Sequence, residues 1–165
     1  SSECMRGVDT ADDLCSFETL EMSNFNGRYV PYLAEKPVPR QFVRHILRDV
    51  IATCTGTDEK RYAVYSSADI RPLLYKLYPG FTDDRIKAGI QVRVIALGPG
   101  GETRGLDERK WLPTKEPTPT YQIVYPGKLA LITVDASGVP LGVTIEDANL
   151  ATTQRTLFDA LWGKL

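Results

Sequence analysis

Residues 142–165, GVTIEDANLATTQRTLFDALWGKL, decide the fold, because a strand passes in them directly into a helix. Residues 142–145 are β-like, and a strongly patterned helix begins at about Asp147. The apolar positions of this helix form one stripe, which must be buried, and the neighbouring sheet is its natural partner. That stripe consists of Leu150, Ala151, Leu157, Phe158, Leu161 and Trp162. We therefore expect the final helix to dock on a β-sheet.

The two acids at the joint, Glu146 and Asp147, have a structural explanation. Asp147 suits the position before the helix, because its carboxylate accepts hydrogen bonds from the free N–H groups of the first turn. Its negative charge also suits the helix dipole. A catalytic role for the pair is the alternative interpretation.

Upstream, apolar periodicity predicts further helices and strands. The first short helix contains Pro72 near its start, and Thr82 or Asp83 is the predicted cap of the second. The predicted elements are a helix at 40–54, a strand at 61–67, helices at 68–81 and 82–89, a strand at 90–98, a long loop with a helical turn at 108–112, and strands at 121–125, 128–134 and 139–146.

The order of these elements predicts the fold class. The helical region between the first two strands favours a parallel pair. Pro126 and Gly127 mark a hairpin between two of the later strands. Parallel and antiparallel pairs together predict an α/β fold, a mixed β-sheet flanked by helices.

Composition bounds the architecture and the partners. With 165 residues, the chain is long enough for one domain with a sizeable core. We expect residues 1–30 to be a linker or N-terminal arm without a signal peptide, and residues 31–165 to form the domain. The formal net charge of -1 excludes a whole-domain basic field for nucleic acid. No apolar run approaches the roughly 18 residues of a membrane span.

The cysteines predict the compartment. Cys4, Cys15 and Cys54 are odd in number and have no zinc-site spacing. We expect reduced thiols in a cytoplasmic protein, with a Cys4–Cys15 disulfide as the alternative. We expect neither a protein-bound metal nor a cofactor.

The C-terminal half resembles the effector domain of TrmB-type transcriptional regulators, which has a phospholipase-D-like fold. The resemblance begins at the Tyr125-Pro126-Gly127-Lys128 turn and continues through the apolar strand that follows it. Together with the predicted elements upstream of this turn, the resemblance covers about residues 38–163. The matching positions further along are Gly142, Val143, Ile145, Glu146, Asp147, Gln154, Arg155, Phe158 and Trp162.

This resemblance implies a protein without catalytic activity. Phospholipase-D enzymes use H-x-K-x-x-x-x-D, in which His is the nucleophile, Lys binds phosphate and Asp orients the His. Lys128 falls on the motif lysine, but Pro126 stands where His is required and Thr133 where Asp is required. The single histidine, His45, lies on the first predicted helix, where a structural or solvent-edge role is the simpler interpretation.

The resemblance also implies partners. We interpret the chain as the ligand-sensing and dimerisation domain of a transcriptional regulator, forming a homodimer and binding a small-molecule effector. The family contacts DNA through an N-terminal winged helix, which residues 1–30 are too short and too weakly patterned to form. The alternatives are a divergent phosphodiesterase or nuclease, and a protein-interaction module without a ligand.

A ligand site is predicted beyond the carboxyl ends of the parallel strands, where α/β sheets open a crevice. The first strand ends at Ser66 and Ser67, and Arg93 is the one charge within the next strand. The resemblance places Lys128 where the enzymes hold phosphate, with Glu146 nearby. These five residues are the predicted site for a small anionic or polyhydroxylated effector. The alternative is that Arg93 and Lys128 are merely solvated.

A basic ridge on the first helix has two interpretations. Arg40, Arg44 and Arg48 recur every four residues, on the side opposite the apolar residues of the same helix. They form either a solvated face or a contact surface for phosphate or an acidic partner.

Overall fold

The fold is that of a computed structural model, which describes residues 28–29, 40–116 and 118–165. The elements are β1 (Arg28–Tyr29), α1 (Arg40–Thr55), β2 (Arg61–Ser67), α2 (Arg71–Leu77), α3 (Phe81–Lys87), β3 (Gln91–Leu97), β4 (Asp107–Leu112), β5 (Thr120–Tyr125), β6 (Lys128–Val134), β7 (Pro140–Glu146) and α4 (Ala148–Trp162). The cysteines Cys4 and Cys15, and with them the alternative disulfide, lie outside the described residues.

The strands form one mixed sheet, so the predicted fold class is confirmed. Within the described residues the sheet has seven strands in the order β1-β7-β6-β5-β2-β3-β4. The pairs β2–β3 and β3–β4 are parallel, whereas the remaining pairs are antiparallel. The predicted 125–128 hairpin joins β5 to β6, with Tyr125 opposite Lys128. Strand β1 belongs to the sheet although it falls in the predicted arm; the division at residue 30 stays a prediction.

Two hydrophobic cores lie on opposite faces of the sheet, as the alternation of side chains along each strand requires. On one face Tyr62, Val64, Val92 and Val94 pack with the apolar side of α1, including Val50. On the other face Ala63, Ile95 and Val124 pack with Phe158 of α4. The sheet is therefore covered by α1 and its neighbours on one side and by α4 on the other.

Gly142 permits the close approach of α1 to β7. A Cβ at this position would lie 3.1 Å from Cε1 of Phe42 and 3.3 Å from the carbonyl oxygen of Leu131. Both distances are shorter than ordinary van der Waals contact. A side chain here would require its neighbours to shift by a few tenths of an ångström.

The cap of α4 is confirmed, but part of its predicted stripe is wrong. The Asp147 carboxylate accepts a 2.8 Å hydrogen bond from the backbone N–H of Leu150. Ala151 and Phe158 are buried, whereas Leu150 is 39% and Leu157 55% exposed. The reason is angular: at about 100° per residue, positions 150 and 157 lie roughly a quarter turn or more from the buried line through 151 and 158.

Two local predictions were also wrong. Helix α3 begins at Phe81 after Gly80 and has no side-chain cap, so Thr82 and Asp83 lie inside its first turn. The predicted helical turn at 108–112 is strand β4, which pairs with β3 over its whole length. Its residues favour helix locally, but the open edge of β3 supplies a complete ladder of backbone hydrogen bonds, and this tertiary pairing overrides propensity.

Candidate functional site

Arg93 lies on the α4 face of the sheet. Its Nε is 3.3 Å from Oε2 of Glu108, and its Nη1 is 3.9 Å from Oδ1 of Asp159 on α4. The guanidinium carbon also stands over the ring of Trp162, 5.5 Å from the centroid. These are half-exposed contacts that attach the sheet to α4.

Lys128 lies on the α1 face instead. Its Nζ donates to both carboxylate oxygens of Asp49 at 3.0 Å and is 3.2 Å from Oε1 of Glu146. The Tyr125 hydroxyl donates to the same Asp49 carboxylate at 2.8 Å. Burial acts to lower the pKa of Lys128, but the hydrogen bonds and charges of Asp49 and Glu146 outweigh it and raise that pKa. Lys128 thus links α1 to the sheet through ion pairs.

The predicted convergence of the five site residues is therefore wrong. Arg93 and Lys128 point to opposite faces because they belong to different layers of side chains on a two-faced sheet. Glu146 pairs with Lys128. Ser67 is fully buried, and its Oγ has no hydrogen-bond partner among the described residues. Of the five, Arg93 lines a cavity between the sheet and α4, and Ser66 lines a second cavity.

The cavity lined by Ser66 lies on the α1 face, enclosed by β2, β3 and β4 below, α2 and α3 above, and the segment before β4 at the side. Its volume is about 80 Å³, several times the roughly 10–15 Å³ that one water needs by a comparable measure. The polar and charged residues that line it are Tyr62, Ser66, Arg71, Tyr75, Tyr78, Thr82, Arg85, Glu102, Arg104, Asp107, Arg109 and Tyr121.

Arg85 of α3 closes one side of the cavity and is only 3% exposed. Its Nη1 donates to the carbonyls of Ile90 at 2.8 Å and Leu106 at 3.1 Å, and its Nη2 to those of Arg104 and Gly105 at 2.8 Å each. A buried guanidinium requires such partners. Arg85 is therefore engaged in holding the loop before β4.

Asp107 and Arg109 form a buried ion pair on β4, two residues apart and hence on the same face. The Nη2 of Arg109 donates to Oδ2 of Asp107 at 3.1 Å, and the side chains are 8% and 7% exposed. Nε and Nη1 of Arg109 and Oδ1 of Asp107 have no hydrogen-bond partner within the described ranges. Unpaired buried atoms of this kind are costly unless another group satisfies them.

Arg71, the first residue of α2, meets Arg109 beside Gly101. A Cβ on Gly101 would lie 2.6 Å from Nη1 of Arg71 and 2.8 Å from Nη1 of Arg109. The backbone at Gly101 has a φ of +94°, which side chains rarely adopt. The side chain of Arg71 makes no hydrogen bond or ion pair with the described part of the chain. Glycine thus allows two guanidinium groups to approach the same small volume.

Two buried phenols complete the polar wall. Burial raises the pKa of Tyr121 to about 12, although a hydrogen bond from Tyr62 and the charges of Arg85 and Arg109 act to lower it. Burial also raises the pKa of Tyr62 well above its usual value. Both hydroxyls therefore stay protonated at neutral pH and are able to donate.

Few local signals in the sequence point to this site. Arg71 stands beside Pro72 in a short helix, and Asp107 and Arg109 fall in the segment predicted to be a helical turn. Their i, i+2 spacing would place both on one face of a strand, and it is the one local signal that points to the pair. The predicted basic ridge is solvated where it is described: Arg44 and Arg48 are exposed, as is His45.

Neither a metal cluster nor a membrane helix is found in the described residues. No three His, Cys, Asp or Glu side chains there are grouped to hold an ion. Likewise, no helix within residues 40–116 and 118–165 has the length and apolarity to cross a bilayer. The free thiol of Cys54 is buried, and burial raises its pKa to about 12.

Comparison with known proteins finds likeness at the level of structure. No family model matches the chain, and no curated protein matches it. Among solved structures, it is similar to TrmBL2, an archaeal chromatin protein whose structure shows a novel mode of DNA binding, at 12% identity and a TM-score of 0.44. The match covers 74% of this chain and 50% of that one, so the chain spans half the length of TrmBL2.

Proposed function

We propose that this chain is the ligand-sensing and dimerisation domain of a transcriptional regulator and that it is not an enzyme. The cavity beneath α2 and α3 carries the ligand-sensing half of the proposal. Its deciding feature is Arg109, which is 8% exposed and retains two nitrogen donors without partners in the described chain. The regulatory half rests on the resemblance of residues 38–163 to TrmB-type effector domains.

The absence of catalysis is supported by where the motif positions lie. His45 is exposed on α1, outside the cavity, and the ammonium group of Lys128 forms ion pairs with Asp49 and Glu146. A phosphodiesterase of this superfamily needs an imidazole beside the phosphate-binding lysine. We expect no hydrolysis of bis(p-nitrophenyl) phosphate above the buffer rate; measurable turnover that scales with protein concentration would establish the enzyme alternative.

The sensing proposal is tested by thermal denaturation in the presence of sugars, polyols, organic acids and phosphorylated metabolites. A ligand that binds only the folded state at 100 times its Kd contributes about 2.7 kcal/mol. For a domain of this size, that raises the Tm by about 5–10 °C. A library in which no compound shifts the Tm would contradict ligand sensing and leave the protein-interaction module.

A further inference from the structure

The cavity has an excess of positive charge, which selects the class of its ligand. Four of its lining residues are arginines, against the two carboxylates of Glu102 and Asp107. Arg85 is satisfied by four carbonyl oxygens, and Arg104 is exposed at the margin. Arg71 and Arg109 are therefore the cations whose donors remain for an occupant.

The charges of these two arginines are only partly neutralised by the described residues. Arg71 and Arg109 approach each other at Gly101, and the Asp107 carboxylate, bonded to Nη2 of Arg109, offsets only one of the two charges. Like charges that meet in a poorly solvated site repel strongly, whereas an anion between them would be bound by both. Guanidinium groups have a planar fork of donors that matches the oxygens of carboxylates and phosphates.

Asp107 adds a second requirement. Its Oδ1 is buried without a hydrogen-bond donor among the residues described. An ionised carboxylate only accepts hydrogen bonds, so its partner must carry a hydroxyl or an N–H group. A hydroxyl on the ligand, close to its anionic group, would satisfy Oδ1 while the oxyanion satisfies the arginines.

We propose that the cavity binds a small hydroxylated oxyanion, either a hydroxy acid or a phosphorylated polyol, through Arg71 and Arg109, with Asp107 accepting from a ligand hydroxyl. This inference rests on the proposed sensing function and names the chemical class that the site takes. The hydroxyl of Tyr121 is an additional donor, and the apolar atoms of Leu74 and Phe81 line the remaining wall.

Calorimetric titration of the chain with four probes tests the proposal. The probes are glycerate, glycerol 3-phosphate, acetate and glycerol, which separate the charge from the hydroxyl and the carboxylate from the phosphate. We expect at least one of the first two to bind, acetate to bind about tenfold more weakly, and glycerol not to bind. Acetate as tight as both hydroxylated anions would refute the role of Asp107, and glycerol as tight as the anions would refute the charge requirement.

Substitutions of single arginines test whether the anion binds in this cavity. Arg109→Gln would leave Asp107 buried without its cation, and we expect that variant to unfold. Arg71→Gln is therefore the decisive change, because the side chain of Arg71 has no hydrogen-bond or ion-pair partner to lose in the described chain. We expect Arg71→Gln to weaken anion binding at least tenfold, or roughly 1.4 kcal/mol, without lowering the Tm of the free protein, because the variant also removes the repulsion between Arg71 and Arg109. Arg48→Gln, the same change on the exposed face of α1, should leave the affinity unaltered.

The outcomes separate this inference from the proposed function. Anion binding that survives Arg71→Gln would remove the site from the cavity. If uncharged compounds raise the Tm and none of the three anions binds, the ligand class is wrong but sensing stands. If neither the anions nor the wider library binds, both fail.

Discussion

Phe158 anchors α4 to the sheet through its contact with Tyr65 of β2, and it stacks on Trp162 within the helix. It is fully buried, and its ring centroid lies 5.2 Å from that of Tyr65 and 5.7 Å from that of Trp162. We expect Phe158→Ala to lower the free energy of unfolding by about 3–5 kcal/mol, because it removes this burial and leaves a cavity. Leu157→Ala is the control: its side chain is mostly exposed, and we expect a loss below about 1 kcal/mol. Urea denaturation measures both, and equal losses would mean that α4 is turned differently.

Tyr121 makes the stability fall at alkaline pH. Burial raises its pKa from 10.0 to about 12, so the unfolded chain loses this proton first as the pH rises. Its contribution is complete below about pH 10 and is lost between pH 10 and 12. At 1.36 kcal/mol per pH unit, it amounts to roughly 2–3 kcal/mol.

The measurement is the free energy of unfolding of the protein and of Tyr121→Phe at several pH values from 8 to 11.5. Cys54 and the other buried tyrosines titrate in both proteins, so the difference between the two slopes isolates Tyr121. We expect the variant to have the shallower slope above pH 10. Parallel curves would show that this phenol ionises as readily in the folded state as in the unfolded chain.

At the scale of elements, the loop before β4 is tied to α3 by Arg85. Since Arg85 is buried and donates to four carbonyls, we expect Arg85→Met to cost more than about 3 kcal/mol. We also expect faster hydrogen exchange in residues 104–112, because the loop and the start of β4 lose their attachment. Lys87→Met, on the exposed side of the same helix, should change neither quantity. Exchange that stays slow in the Arg85 variant would indicate that pairing with β3 alone holds the edge.

At the scale of the whole molecule, we expect a homodimer. Regulators that bind symmetric sites need symmetric contacts between effector domains. Light scattering at micromolar concentration should give twice the 18.4 kDa of the chain. A mass of 18.4 kDa across that range would contradict the dimerisation half of the proposed function without affecting the cavity.

The sequence by itself determined the features that depend on neighbours along the chain. Apolar periodicity predicted α1 and its buried face, alternation predicted β3, Pro126 and Gly127 predicted the hairpin, and Asp147 predicted the cap of α4. Each of these signals is local, because a helix face, a strand face, a turn and a cap are set by residues only a few positions apart. The fold class followed from their order.

The tertiary structure alone decided β4 and the site. The residues of β4 carry no strand pattern of their own, and only the open edge of β3 makes them a strand. The predicted pocket failed because the side chains of Arg93 and Lys128 point to opposite faces of the sheet, which the order of the elements along the chain does not show. The cavity joins Arg71, Gly101 and Arg109 from three separate segments, and only the packing of α2 and α3 over the sheet brings them together.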